Sequence, residues 1–231
     1  MASTTIINRI NDLIGDNWDA DMYSELETVC SAFNEVIDLC PHKLLRKYAD
    51  NSTHLSSGGT AFNTEGYKII EVFRRDVSGR ARLAKEIPFE VGLNLSITNS
   101  IYQMDTDQDM FPVWYIDSGS GAIAIKPGLF AGTSSTDPGN GLVFWFKYFT
   151  PDDDPTSILA HTYSTIIETG YPTEAVQAGC LKAALNIMNA KVSQATQDEE
   201  DAELMAILQG QQAALTATYT SEIKRIQEMA E

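Results

Sequence analysis

From Thr5 the chain sets Ile6, Ile7, Ile10, Leu13 and Ile14 on one helical face, and Gly15 supplies a stop signal. Beyond the acidic connection Asp16-Asn17-Trp18-Asp19, Met22, Leu26, Val29, Phe33, Val36 and Cys40 recur at alternating steps of four and three. That spacing predicts a long amphipathic helix, with Cys30 and Ile37 widening its apolar stripe. Asp19 and Asp21 suit the positive end of its dipole, and Pro41 ends it by removing a backbone donor. The basic stretch His42–Lys47 suits the negative end.

Past residue 50 the period changes. Asn51–Gly59 is rich in Ser, Thr, Asn and Gly and reads as a loop. Short β-rich runs follow: Tyr67–Val77, Arg82–Ile87, Leu93–Tyr102, Val113–Ile116, Ala122–Lys126 and Leu142–Phe149. Reversals are expected at Ser78-Gly79, Gly119-Ser120-Gly121 and Asp137–Gly141. Helical spacing returns in Ser157–Thr169 and Pro172–Gln194, with Gly170-Tyr171-Pro172 between them. A last helix is expected from the acidic turn Asp198–Asp201 towards Glu231, about 50 Å long at 1.5 Å per residue. Its stripe of Leu204, Leu208, Leu215, Tyr219, Ile223 and Ile226 is thin, so it is expected to project from the domain or pack on a neighbouring subunit.

Helices, then strands, then helices predict an α+β fold. Residues 1–50 and 156–231 form a helical bundle, and 51–155 form an inserted antiparallel β module. At 43% hydrophobic residues the chain can bury a core without disulfides or metal. No segment approaches the ~18 unbroken apolar residues of a membrane span, and Met1–Thr5 does not read as a secretory signal, so a protein made in the cytoplasm is expected. Cys30, Cys40 and Cys180 read as reduced, buried thiols.

The net charge is −16. Such a surface repels nucleic acid, because affinity for phosphates comes from Lys and Arg. Solubility is the simpler meaning, and a wall past which DNA slides is the sharper one.

The sequence carries no recognisable catalytic motif. His42, His54 and His161 are scattered and form no zinc spacing. Asp105–Asp109 imitates the start of a calcium loop, but Met110 stands where the sharp turn needs Gly and Ile116 where a bidentate Glu belongs. Asp152-Asp153-Asp154 reads as a solvated linker. No catalytic, metal or cofactor site is expected. The basic cluster Lys68, Arg74, Arg75, Arg80, Arg82 and Lys85 holds six of the 16 cations. Edge-strand protection is its simplest role, and docking on an acidic face of an identical or different subunit is the functional one. Trp114, Tyr115, Phe144, Trp145, Phe146, Tyr148 and Phe149 crowd two strands. Core packing is the expected role, with a sugar-binding platform as the alternative.

The chain resembles the head–tail adaptor (connector) proteins of tailed phages. The matching features, in order, are Leu13-Ile14-Gly15-Asp16; then Trp18, Asp19, Asp21, Leu26, Asn34 and Pro41. Trp114-Tyr115, Ile123–Pro127 and Tyr148-Phe149-Thr150-Pro151 follow within the insert, and then the helices Pro172–Met188 and Asp198–Met229. The sequence departs from the pattern at Gly179-Cys180-Leu181-Lys182 and in its longer insert. The resemblance implies a non-enzymatic virion subunit under the portal, in a ring of twelve copies. Portal and tail or nozzle proteins would be its partners, and DNA would pass through the channel without specific binding. Arg74, Arg75, Arg80 and Arg82, with Leu204, Leu208, Leu215, Tyr219, Ile223 and Ile226, are then the candidate oligomer or partner contacts. A tail-associated carbohydrate- or receptor-binding β module on a helical stalk is the alternative.

Overall fold

Helix α1, Ile6–Ile14, begins where the Thr5 hydroxyl accepts the backbone N–H of Asn8. It ends where Gly15, at φ 76°, returns its N–H to the Asn11 carbonyl. A computed structural model describes residues 5–15, 22–55, 62–75, 80–95, 112–126, 141–150, 166, 170–197 and 202–229. The fold is α+β, and the chain divides into a helical unit (1–48 and 148–231) and a β unit (49–147).

In the helical unit, α2 spans Met22–Leu39 and buries Leu26, Val29, Phe33 and Val36, with Cys40 buried just past its end, as the spacing predicts. The basic stretch after Pro41 is itself a short helix, α3 (His42–Leu45). It forms because Leu44 and Leu45 reach the core while His42 and Lys43 stay in water. The expected helix Ser157–Thr169 lies outside the described residues except for Ile166, which is helical and buried.

Two long helices complete this unit: α4, Phe89–Leu95, belongs to the β unit, so they are α5 (Thr173–Gln197) and α6 (Ala202–Glu228). Helix α5 packs against α1, α2 and α6 and is buried almost all round, through Ala175, Val176, Ala178, Leu181, Ala184 and Met188 among others.

Helix α6, about 40 Å long, does not project. It folds back along α5: Met205 lies by Thr196, Gln212 bonds Asn189 at 2.7 Å, Tyr219 sits under Lys182, and Arg225 reaches the Glu174 carbonyl. The first three contacts advance seven residues on one helix and retreat seven on the other, the register of an antiparallel heptad seam. The sheltered side chains of α6 are Met205, Leu208, Gln212, Leu215, Tyr219, Glu222, Ile223 and Ile226; all but Ile223 repeat at steps of three and four. Two of them, Gln212 and Glu222, are polar, and for that reason hydrophobicity alone misjudged the seam.

In the β unit, β1 (Asp50–Leu55), β7 (Gly141–Lys147), β2 (Tyr67–Arg75) and β3 (Ala81–Leu83) form an antiparallel sheet in that order. A second sheet holds β4 (Lys85–Glu86), β5 (Val113–Ile116) and β6 (Ile123–Lys126), with β4 and β5 parallel and β5 and β6 antiparallel. Leu55, Val72 and Val143 from the first sheet meet Trp114, Ile123 and Ile125 from the second in one core.

Three expectations change here. The expected run Arg82–Ile87 is split between the sheets at buried Ala84. The Ala84 N–H bonds Val72 in the first sheet, and the Lys85 N–H bonds Pro112, beside the second. Asp50–Leu55 is a strand rather than a loop, because β7 satisfies its backbone although only Leu55 has an apolar side chain to bury. The expected strand Leu93–Tyr102 begins instead as the end of α4, which starts after Pro88 and accommodates Tyr115 against Gly92; a Cβ at Gly92 would fall within the Tyr115 ring. Residues 96–102 lie outside the described set. The Gly119–Gly121 reversal forms as expected, with Gly121 at φ 64°.

Candidate interaction site

The solvent side of α2 presents Glu27, Ser31, Glu35 and Asp38 in one line, at successive steps of four, four and three. Beside them runs an open cleft of about 520 Å³, lined also by Cys30, Asn34 and Phe149.

Its far wall is held by hydrogen bonds. The Asn34 side chain donates from Nδ2 to the Phe149 carbonyl at 2.8 Å and accepts the Phe149 N–H on Oδ1 at 2.9 Å. A single amide thus satisfies both backbone groups of Phe149, as a neighbouring strand would. The Tyr148 hydroxyl donates to Asp38. Burial, first, and then the bond to and charge of Asp38 hold that phenol well above its usual pKa, so it stays a donor. Behind the cleft Phe33, Phe149 and Tyr171 form a trio of rings with centroids 5.3 to 6.0 Å apart, and the Tyr171 hydroxyl donates to the Phe33 carbonyl at 3.2 Å.

Removing the amide clamp should be measurable. Asn34→Ala is expected to lower the unfolding free energy by about 1–3 kcal/mol, two net hydrogen bonds with partly buried partners. Asn34→Asp, which keeps the acceptor but sets a carboxylate oxygen against the Phe149 carbonyl, should cost at least as much as alanine. Urea titration followed by circular dichroism gives the order; an alanine variant equal to wild type would remove the clamp from the account.

At the rim, Lys182 on α5 bonds Glu35 at 2.8 Å and lies 5.6 Å from the centre of the Tyr219 ring on α6. Burial, ahead of the charges of Glu35 and Cys40, pushes the Tyr219 phenol up to about 12. The arrangement ties three helices together with one cation. It presents carboxylates in a line, a fixed backbone edge, and buried thiols outside any disulfide at Cys30, Cys40 and Cys180. Among the described residues no three His, Cys, Asp or Glu side chains are placed to hold a metal ion. No helix of the described residues is long and apolar enough to cross a membrane.

Comparison with known proteins finds no matching family model, curated protein or solved structure.

The residues singled out from sequence divide. Arg74 is only 1% exposed, in the central strand β2 opposite Arg82 and Gly141, so it is withdrawn from any second molecule. Arg80 and Lys85 are exposed, and Arg75 and Arg82 half-buried. On α6, Leu215 and Ile226 are buried and Leu208, Tyr219 and Ile223 half-buried against their own chain; the Leu204 side chain lies outside the described residues. This corrects the expectation that the stripe is kept for a neighbour. Trp114 and Tyr115 are each 6% exposed, and Trp145 packs with Phe62 and Tyr67, so these rings build core rather than a sugar platform. Asp105–Asp109, Asp152–Asp154 and Trp18 lie outside the described residues.

Phe144, Phe146 and Tyr148 alternate with Trp145 and Phe149, a pattern of two-sided burial that anticipates contact with the bundle or another subunit, but it does not name α2 as the partner. The available signal was Asn34 itself, a poor helix former inside a long helix.

Proposed function

We propose that this chain is a structural, non-enzymatic subunit of a tailed-phage particle, in the head–tail adaptor ring that bridges portal and tail and extends the DNA channel. The observation that carries the reading is the clamp of Asn34 on Phe149. Asn34 is one of the matching residues, Phe149 lies within the matching run Tyr148–Pro151 115 positions away, and the Asn34 side chain holds both backbone groups of Phe149. The architecture supports the reading too: a helical body with a β insert in the expected order.

Charge adds a second support. The helical unit carries 21 acidic and 8 basic residues, a net −13, while the β unit carries 11 and 8, a net −3. A helical wall of that sign lets DNA pass without gripping it.

Imaging of purified particles tests the proposal. A ring of this chain between portal and tail is the expected result. Isolated copies at the tail periphery, released by added glycan, would replace it with the carbohydrate-binding alternative.

A further inference from the structure

The two strongest charge features of the chain lie in different units and have opposite signs. Residues 68–85 hold six cations against two acids, Glu71 and Asp76, whereas the helical unit as a whole is at −13. The exposed cations Arg80 and Lys85 flank β3, and Arg82 lies half-buried within it. The α2 cleft presents Glu27, Glu35 and Asp38 with no cation in its lining, although Glu35 is shared with Lys182 behind it. The cleft is open and its lining follows the solvent side of α2 from Glu27 to Asp38.

We propose that the α2 cleft receives the basic edge at β3, with Arg80 and Lys85, of a second copy of this chain. The inference rests on the adaptor reading for the expectation that copies meet, and adds which surfaces meet. Donor and acceptor are different surfaces, so the contact is head-to-tail and repeats from copy to copy, giving a ring where the rotation closes. Arginine and lysine against a line of carboxylates fix register and speed association more than they add raw affinity. A phosphate backbone is the competing occupant of the cations. The charge balance favours protein, because a chain at −16 must bring its cations to DNA against its own repulsion.

Charge exchange on the full chain tests this by native mass measurement across a concentration series. Arg80→Glu with Lys85→Glu reverses the donor; Glu27→Arg with Ser31→Arg reverses the acceptor. All four positions are exposed, so folding is preserved and is checked by circular dichroism. Each reversed pair alone is expected to weaken self-association about tenfold or more, as for two lost charge contacts. The chain carrying all four changes should return to within about threefold of wild type, since paired charges restore what each single reversal removes. A monomeric wild type, an assembly indifferent to either reversal, or no recovery in the combined variant overturns the docking. Duplex DNA bound through Arg80 and Lys85 would overturn it as well and assign the cations to phosphate. The results on self-association leave the adaptor reading standing; it fails if the chain is absent from the head–tail junction, and DNA binding would remove only its expectation of a channel that does not grip DNA.

Discussion

Phe33→Ala is expected to lower the unfolding free energy of the helical unit by about 3–5 kcal/mol, the usual cost of emptying a buried aromatic site. Phe33 is fully buried, with the Phe149 ring edge-on at 6.0 Å and the Tyr171 ring at 5.3 Å. On its third side lies Gly179 of α5, where an added Cβ would come within 2.9 Å of the ring. None of these neighbours can fill the void without breaking another contact: Phe149 is held by Asn34, and Tyr171 by its bond to the Phe33 carbonyl. The same geometry gives a reciprocal result for Gly179→Ala. Alanine gains up to about 1 kcal/mol as a better helix former. Overpacking a ring that cannot move costs about 1–3 kcal/mol, so the net effect is a loss. Combining Gly179→Ala with Phe33→Leu should cost less than the sum of the two, because the smaller side chain makes room. Urea unfolding followed at the helical dichroism band reads all of these; a loss below about 1 kcal/mol for Phe33→Ala would show that the site collapses freely.

Stopping the chain after Gln197 should abolish the stable helical unit rather than release a tidy monomer. Helix α6 buries Leu215 and Ile226, each worth about 1.5–3 kcal/mol, and half-buries Leu208, Tyr219 and Ile223. Its removal also exposes the flank of α5 on which it lies. The expected loss of roughly 4–6 kcal/mol is comparable with the whole stability of many domains. The truncated chain should therefore lose cooperative unfolding and amide protection along α5. Leu215→Ala, at about 2 kcal/mol, is the milder version that leaves the helix in place. A truncated chain that unfolds cooperatively at the wild-type midpoint would mean that α6 is free to serve another subunit after all.

The same helix marks how far sequence could be read. Its existence followed from the acidic start and the helical spacing. Its destination did not, because two positions of the seam are polar: Gln212 reaches Asn189, and Glu222 pairs with Arg225 at 2.8 Å. A seam is defined by which positions face a neighbour, and hydrophobicity reports that only when the neighbour is apolar. Arg74 misleads in the opposite direction. As a cation in a cation-rich run it reads as surface, yet the strand order β1-β7-β2-β3 puts its strand between two others and buries it.

Local periodicity and local stereochemistry were determined by the amino-acid order alone. Thr5 and Gly15 bound α1, the four-three stepping of α2 names its buried face, and Val113–Ile116 was legible to the residue. The helix–strand–helix order gave the α+β class and the inserted module. Only the tertiary structure decided that Asp50–Leu55 is a strand, that the chain changes sheets at Ala84, and that Asn34 holds Phe149. Each of these depends on a hydrogen-bond partner distant in the chain. A backbone or amide group is satisfied equally well by any partner that reaches it, so nothing in the local sequence says which one will.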